Sequence, residues 1–219
     1  MSTAELGGGI FLVKDVADIL GLKLSKVRRW LKEFWDNRFA TQFGKYSWGD
    51  DDNLAVNFYT LIEFIAFAKL REHGISAQRI QKFHCKLATQ LNTPYPFAKT
   101  KLLTDKKDVW FEYYNEVVKL DGKNQIALKK ILLPYLHKIE YDEVNSIALR
   151  YYPLGKTHKV VIDPDHQFGQ PTIVGTNIKA TVIFSLYKGK ESRQNICHLY
   201  NLSKKQVDDA ISYCKKIAA

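Results

Sequence analysis

The residues best suited to chemistry in this sequence are the polar side chains of one short stretch, residues 25–32. Ser25, Arg28, Arg29 and Lys32 recur at i, i+3, i+4 and i+7, so a helix places them on one face. Guanidinium and ammonium groups on one helical face can bind phosphate oxygens and the edges of bases. An ordinary solvated basic face is the alternative interpretation of the same pattern.

Two predicted helices position this basic face. The first has the spacing of a buried helical face at Val13, Val16, Ala17 and Leu20. Gly21 then ends it, as glycine commonly does at a helix C-terminus. The second helix has an apolar stripe beside the basic face, formed by Leu24, Val27, Leu31 and Phe34. Two short helices joined by a glycine turn predict a helix-turn-helix, in which the second is the recognition helix.

The composition agrees with a nucleic-acid partner. The chain has 219 residues, 46% of them hydrophobic, and a formal net charge of +10. This balance indicates a packed protein that binds a polyanion, with nucleic acid ahead of an anionic membrane surface. No apolar run approaches membrane-spanning length, and no signal peptide is evident at the start. Three scattered cysteines predict a reducing, cytoplasmic location without disulfides.

The helix-turn-helix is followed by further elements of the same unit. Residues 36–59 are turn-rich and aromatic, which predicts a wing. Thr60 and Glu63 have the spacing of a capping box and predict a helix over residues 60–72. Ser76 is the expected N-cap of another helix. The inner stripe of this helix is predicted to be Ile80, Phe83, Leu87 and Leu91. Pro94 and Pro96 close the unit.

The middle of the chain changes to the period of strands. Short strands are predicted at residues 101–104, 109–113, 117–120, 125–128, 147–152 and 159–162. Asp121-Gly122 predicts a hairpin turn, and a helix is expected over residues 129–139. A linker domain, a dimerisation sheet and a partner-binding surface all remain open interpretations of this segment.

Three short helices are predicted in the C-terminal part. Residues 181–188 form the first, which Gly189 ends, and Ser192 and Ser203 are N-cap candidates for the other two. The inward side chains are expected to be Ile196, Leu199, Tyr200, Val207, Ala210, Ile211 and Cys214. The predicted fold class is mainly α with a small β component (α+β). The predicted domains are residues 1–93, 94–154 and 155–219, namely a winged helix-turn-helix, a strand-rich middle and a three-helix bundle.

Motifs of catalysis and metal binding are weak in this sequence. His84-Cys85 and Cys197-His198 lack the spaced pairs of zinc sites, so no metal is predicted. Asp163, Asp165 and His166 could form an acid-base group, but their turn favours a structural role. The sequence has no phosphate-binding loop, nucleophile elbow or zinc-protease motif. It therefore predicts a protein that is not an enzyme and that has no cofactor.

The order of elements up to residue 91 resembles the MerR-type winged helix-turn-helix family. The resemblance rests on the two helices, the aromatic wing, the helix ending LREHGIS and the helix starting AQRI. In that family an arginine followed by aromatic residues lies in the second helix, and here Arg28, Arg29 and Trp30 occupy those places. Pro94 and Pro96 interrupt the chain where the family continues into a long dimerisation helix. We therefore expect a homodimer whose contact lies outside the winged helix.

The C-terminal part resembles the small domain of VapB-type antitoxins. The matching residues are Asp163, Pro164, Gly169, Pro171, Ile173, Gly175, Thr176, Ile178, Gly189, Tyr200, Leu202, Ser203 and Val207. Asn177 departs from the family, which usually has arginine there. The resemblance implies a type II antitoxin whose partner is a PIN-like ribonuclease toxin.

Both resemblances together predict an antitoxin that binds double-stranded operator DNA, represses its own operon and neutralises its toxin. The predicted DNA-contacting residues are Lys23, Ser25, Lys26, Arg28, Arg29, Trp30, Lys32, Arg38, Lys45 and Tyr46. Two alternatives stay open. One is a MerR-like regulator without a toxin, whose C-terminal part senses a ligand, and the other is an enzyme that acts on nucleic acid.

Overall fold

A computed structural model of the chain describes residues 8–99 and 134–217. It consists of helices and small antiparallel sheets, which confirms the predicted α+β class. The N-terminal elements are β1 (Phe11–Leu12), α1 (Val13–Leu20), α2 (Leu24–Trp30), α3 (Ala40–Phe43), β2 (Ser47–Trp48), β3 (Ala55–Val56), α4 (Phe58–Glu72) and α5 (Ala77–Leu91). The three strands form one sheet in the order β1-β3-β2.

Helix α2 is extended by a wider helical segment, Leu31–Arg38. This segment has π-type geometry, and just after it the backbone N–H of Phe39 donates to the carbonyl of Phe34 over 2.7 Å, five residues back. Helix α3 follows directly. The prediction of a wing from residue 36 is therefore wrong for residues 36–43, which are mostly helical, and the hairpin of β2 and β3 comes after them.

Helix α4 begins earlier than predicted because another residue caps it. The side chain of Asn57 accepts the backbone N–H of Thr60 over 2.8 Å, so the helix starts at Phe58. Glu63 is not part of a capping box. Its side chain is fully buried, and one oxygen accepts the N–H groups of Phe97 (2.7 Å) and Ala98 (3.0 Å).

Helix α5 agrees with its prediction. Ser76 accepts the N–H of Arg79, and Ile80, Phe83 and Leu87 are buried, while Leu91 is half-buried. Asn92 ends the helix with a left-handed backbone conformation (φ 46°). The chain then turns toward Phe97 and Ala98, which join the core against α4.

In the C-terminal half a short helical segment, residues 134–136, precedes the strands. The elements that follow are β4 (Ile139–Tyr141), β5 (Ala148–Tyr151), β6 (Val160–Val161), β7 (Thr172–Ile173), α6 (Ala180–Lys188), α7 (Arg193–Tyr200) and α8 (Lys204–Ile217). The strands predicted at residues 147–152 and 159–162 are confirmed as β5 and β6. Ile139 starts a strand instead of ending a helix. The strands predicted between residues 101 and 128, and the Asp121-Gly122 turn, lie outside the described residues.

The predicted bundle is present as α6, α7 and α8. Ser192 accepts the N–H of Asn195, and Ser203 accepts the N–H of Gln206, so both predicted caps are confirmed. The inward residues of α8 are buried as predicted. Leu199 was predicted to face inward, but it is 68% exposed. Helix α7 has only two turns, and Ile196 is its fully buried side chain.

Two hydrophobic cores organise the described residues. The first comprises side chains of α1, α2 with its extension, α4 and α5 together with later side chains, namely Phe97, Ala98, Tyr135, Ile139, Ala148, Tyr151 and Ile162. The second lies within the bundle and includes Val160 and Ile173. The first core therefore crosses the predicted boundaries at residues 93 and 154, although the division into three domains stays a prediction.

The residues before β1 are held by both halves of the chain. The N–H of Ile10 donates to the carbonyl of Phe168 over 2.8 Å, and the N–H of Phe58 donates to the carbonyl of Gly8 over 2.7 Å. Gly169 has a left-handed φ of 86°, and a Cβ atom there would overlap the ring of Phe11. Close packing at this glycine thus joins the two halves. Within residues 8–99 and 134–217, no helix is long and apolar enough to cross a membrane.

The buried carboxyl of Glu63 gives the first core a pH-dependent contribution. Oxygen Oε2 of Glu63 lies 3.1 Å from Nε2 of His84, and both side chains are almost fully buried. Burial raises the pKa of Glu63, although His84 and the two backbone N–H groups oppose this shift. A raised pKa in the folded state means that stability is present below the unfolded pKa and declines as pH rises through the folded pKa.

The variant Glu63→Gln should lose this dependence, because glutamine keeps a carbonyl acceptor but does not ionise. We expect the free energy of unfolding of the native protein to fall with increasing pH above about 4.5, relative to that of the variant. Urea unfolding at a series of pH values measures the difference. Glu72→Gln, at an exposed site, is the control. Identical pH dependence in Glu63→Gln and the native protein would contradict the assignment.

Candidate nucleic-acid interface

The turn between α1 and α2 is fixed by backbone hydrogen bonds. Gly21 has a left-handed φ of 63° and donates its N–H to the carbonyl of Asp18 over 3.1 Å. The N–H of Leu22 donates to Ala17 over 2.9 Å. These bonds satisfy carbonyls at the end of α1 and set the direction in which α2 leaves. The predicted pair of helices with a glycine turn is therefore present.

Buried aromatic residues hold α2 and its extension against α4. The ring of Trp30 meets that of Phe67 edge to face, with the ring centres 4.9 Å apart. Trp35 stacks on Phe64 at 3.8 Å. Such contacts fix the rotation of a helix about its axis, and so determine which side chains it presents to solvent.

The predicted contact residues divide into three groups by exposure. Six are exposed: Lys23, Ser25, Lys26, Arg29, Lys32 and Lys45. Arg28 and Arg38 are half-buried, whereas Trp30 and Tyr46 are buried. The helix thus presents most of its predicted polar and basic side chains to solvent.

Two aromatic residues must be removed from the predicted contact set. Trp30 is 5% exposed and Tyr46 is 4% exposed, so both belong to the core. The hydroxyl of Tyr46 donates to the carbonyl of Pro94 over 2.9 Å. Trp30 supports the basic face instead, because the Nζ atom of Lys26 lies 4.9 Å from the centre of its ring.

Arg28 connects α2 to the loop of the wing. Its Nη2 atom lies 2.6 Å from Oδ1 of Asp52, whose side chain is 91% exposed. An exposed pair of this kind contributes little to stability, so DNA phosphates or bases can compete with Asp52 for the guanidinium. The pair also limits the positions that Arg28 occupies in the free protein.

Arg38 is engaged within the protein. Its Nη1 atom donates to Oε1 of Gln81 over 2.9 Å, and its Nη2 atom lies 3.3 Å from Glu33. The guanidinium also lies 5.2 Å from the ring centre of Phe34. These contacts indicate that Arg38 joins the helical extension to α5 rather than extending freely toward a ligand.

Asp36 positions the wing, a role that sequence reasoning missed. Its carboxylate accepts the backbone N–H groups of Tyr46 (3.1 Å) and Ser47 (3.2 Å) and also the hydroxyl of Ser47. The contacts fasten the first strand of the hairpin to the helical extension. A single aspartate in a polar stretch has no spacing that would reveal such distant partners.

The Asp163 cluster has the structural role that the sequence favoured. Asp163 is buried and accepts from Nε of Arg150 (2.6 Å), lies 3.0 Å from Nδ1 of His166, and accepts the N–H of Asp165 (3.0 Å). Arg150 also reaches Glu140 over 3.1 Å. The carboxylate of Asp163 is therefore committed to holding its own turn and β5 together.

The residues considered for metal binding do not converge in the part of the chain that the structure describes. There, no three side chains of the histidine, cysteine, aspartate and glutamate types form a group suited to a metal ion. His84 lies beside Glu63 in the first core, and Cys197 is half-buried in α7.

Comparison with known proteins found a family model that matches the C-terminal part. Residues 160–214 match the model of the family described as "Protein of unknown function (DUF433)". This stretch covers β6, β7 and most of the bundle. The MerR-type resemblance of the N-terminal part stays a prediction.

Two relatives and one solved structure cover most of the chain. The "Uncharacterized protein Rv2308" of Mycobacterium tuberculosis (strain ATCC 25618 / H37Rv) is 26% identical over 235 residues, covering 98% of this chain and 93% of that protein. The "Putative antitoxin VapB45" of the same strain is 22% identical over 166 residues, covering 70% and 69%. The crystal structure of Rv2018 from Mycobacterium tuberculosis has a TM-score of 0.71 and 17% identity, covering 92% and 96%. The last comparison supports the fold, and the second gives a weak similarity to an antitoxin.

Proposed function

We propose that the protein is the antitoxin of a type II toxin–antitoxin pair. It binds operator DNA and represses its own operon, and it neutralises a PIN-like ribonuclease toxin. The observation that carries the proposal is the similarity to the protein named a putative VapB45 antitoxin, which extends over 70% of this chain.

The DNA-binding part of the proposal rests on α2. Lys23, Lys26, Arg29 and Lys32 are exposed on a helix that a glycine turn and aromatic packing hold in place. A recognition helix with this geometry can enter the major groove, where arginine contacts guanine and lysine contacts phosphates. Lys45 extends the cationic surface from the neighbouring wing. The guanidinium of Arg28 is paired with Asp52 until DNA displaces that carboxylate.

The toxin-binding part of the proposal rests on similarity. The matched stretch of residues 160–214 lies apart in sequence from α2, and the two surfaces can therefore act on different partners. In this arrangement the antitoxin covers the nuclease site of the toxin while α2 stays available for DNA.

Co-expression with the neighbouring reading frame tests the proposal. We expect a small PIN-like protein to co-purify with this chain and to lose its ribonuclease activity in the complex. The matched control is the same neighbour expressed alone, which should arrest growth. A neighbour that neither binds the chain nor arrests growth would favour a regulator without a toxin.

The protein is also expected to be a homodimer with its contact outside the winged helix, and therefore outside α5. Helix α5 ends at Leu91, and Asn92 turns the chain back toward α4, so no long dimerisation helix continues from it among the described residues. A dimer could read two half-sites about 34–36 Å apart or a multiple of that distance.

Sedimentation of the full chain at several concentrations measures the dimer. We expect twice the monomer mass, both for the native protein and for a variant with the exposed Arg79 and Lys82 of α5 changed to glutamate. Two charge reversals would break a contact made by this face. Dissociation of the variant alone would place the contact on α5 and contradict the prediction.

A further inference from the structure

The bundle repeats the backbone geometry of the helix-turn-helix. Helix α7 runs from Arg193 to Tyr200, and α8 starts at Lys204. These residue numbers are each 180 larger than those of the first and last residues of α1 and the first residue of α2. Asn201 has a left-handed φ of 50° where Gly21 has 63°. The N–H of Leu202 donates to Cys197 over 2.9 Å, the same bond and length as between Leu22 and Ala17.

The buried positions repeat with the same offset. Val16 and Ile196 are both fully buried, as are Val27 and Val207. Three more pairs are apolar at matching places: Leu22 and Leu202, Leu31 and Ile211, and Phe34 and Cys214. Shared bounds, turn bonds and core positions make α7 and α8 a second helix-turn-helix unit.

The two units differ at the positions that would read bases. Asp208 and Asp209 stand where α2 has Arg28 and Arg29. Asp209 is buried, lies 2.8 Å from Nδ1 of His158 and accepts the N–H of Lys159. Asp208 lies 2.9 Å from Nε of Arg193. Both carboxylates are engaged within the protein, so this unit lacks the arginines that recognise guanine.

Three cations of the bundle lie on an aromatic support. Arg193 and Lys215 both lie over the ring of Tyr187, with the guanidinium carbon 5.1 Å and Nζ 5.0 Å from its centre. Lys188 lies 5.5 Å from the ring centre of Phe184, which is stacked near Tyr187 with the centres 6.4 Å apart. The rings orient these long side chains before any ligand arrives.

Helix periodicity adds a fourth cation to this surface. Lys204 lies four residues before Asp208 and Lys215 seven residues after it, so all three share one stripe of α8. The guanidinium of Arg193 lies beside the same stripe, because it forms an ion pair with Asp208. We call Lys188, Arg193, Lys204 and Lys215, all of which are exposed, the bundle cationic face.

We propose that the bundle cationic face binds the sugar–phosphate backbone of duplex DNA, as a second contact beside α2. The proposal rests on the DNA binding proposed above and adds a second surface to it. Cations without free base-reading arginines provide affinity that does not depend on sequence. The second unit would thus fix the protein on the duplex while α2 selects the site.

The salt dependence of binding tests this surface. The variant Lys188→Ala/Lys204→Ala/Lys215→Ala leaves both helix caps and every residue of α2 in place. Fluorescence anisotropy of the full chain on a labelled mixed-sequence duplex of about three helical turns, between about 50 and 200 mM KCl, gives the slope of log K against log salt. We expect the slope to decrease by about one for each lost phosphate contact, hence by up to about three.

A matched triple variant controls for net charge. Lys82→Ala/Lys156→Ala/Lys216→Ala removes three exposed lysines outside the bundle cationic face and should keep the native slope. The first variant should also lose affinity equally for the mixed-sequence duplex and for the duplex upstream of its own reading frame. This uniform loss distinguishes phosphate contacts from base contacts.

Three outcomes overturn the proposal in different ways. An unchanged slope in the first variant, with a reduced slope in Arg28→Ala/Arg29→Ala, rejects the second surface and leaves the proposed function in place. An unchanged slope with loss of toxin co-purification assigns the bundle cationic face to the toxin instead. Absence of any DNA binding by the native protein rejects both this proposal and the DNA-binding part of the proposed function.

Discussion

Replacing Arg28 and Arg29 together with alanine is expected to weaken operator binding by about 1–3 kcal/mol for each contact made with a base. Both residues belong to α2, which is the proposed recognition helix. Arginine binds guanine through two parallel hydrogen bonds, and alanine leaves these base acceptors without a partner. The effect should be measured by fluorescence anisotropy on the duplex upstream of the reading frame.

The single variants should separate two roles. Arg29 is exposed, so Arg29→Ala should lose a DNA contact without other consequences. Arg28 must first leave Asp52, so Asp52→Asn should free the guanidinium and strengthen DNA binding. The matched control is Arg79→Ala, an exposed arginine on α5. Thermal melting should be unchanged in all of them, because an exposed ion pair contributes little to stability.

An unaltered affinity in the double variant would show that α2 is not the recognition helix. If the variant loses both its affinity and its thermal melting transition, it is unfolded, and the lost affinity then has this cause. The ratio of affinities for operator and mixed-sequence duplex should also fall, because base contacts carry the discrimination between sequences.

Growth rescue is expected to survive in the Arg28→Ala/Arg29→Ala variant while promoter repression is lost. Toxin binding is proposed to use other surfaces than α2, so removal of two cations from this helix should leave the toxin covered. A paired assay in one strain measures growth after toxin induction and the output of a reporter fused to the promoter. The native protein should both rescue growth and repress the promoter.

The control for this separation is the matched variant Arg79→Ala, which should keep both activities. Loss of rescue by a folded Arg28→Ala/Arg29→Ala protein would mean that toxin and DNA share one surface. Deletion of residues 160–219 is a less suitable test, because Ile162 belongs to the first core and Gly169 packs against Phe11. Such a deletion would disturb the packing of β1 as well as remove the bundle.

Periodicity and local capping predicted much of the fold. The helices α1, α5 and α8 each bury one face, so their apolar residues recur near every 3.6 positions. Caps such as Ser76, Ser192 and Ser203 bond to backbone groups only three residues away, so a short window of sequence contains the whole interaction.

The features that the sequence did not predict depend on distant partners or altered geometry. Glu63 looked like a capping residue because its donors, Phe97 and Ala98, lie 34 and 35 residues away. The burial of Leu31 and Phe34 in the helical extension over residues 31–38 was predicted, but ordinary helical spacing does not reveal its wider turns. The MerR-type resemblance included Trp30 among the DNA contacts, but its ring packs against Phe67 of α4 in the core.

The candidate site was predictable in part for the same reasons. The basic face of α2 follows from helical spacing alone, and its exposure in the structure agrees with that. The ion pair of Arg28 with Asp52 and the hydrogen bonds of Asp36 to the wing both join a helix to the hairpin. These partners lie too far apart in the sequence for a local pattern to contain them. The repeated turn geometry in the bundle was also hidden, because Asn201 replaces glycine and acids replace the two arginines.

The first core includes residues that are synthesised late, and this determines when it can form during translation. Chains usually fold domain by domain from the N-terminus as they are made, but here α1, α2 and α4 share their core with Tyr151 and Ile162. Contacts between such distant residues also slow folding. A nascent chain that ends before residue 162 therefore has α2 and the α4 rings that orient it, but it lacks part of the core that stabilises both helices. DNA affinity should emerge late in synthesis, after most of the protein has been translated.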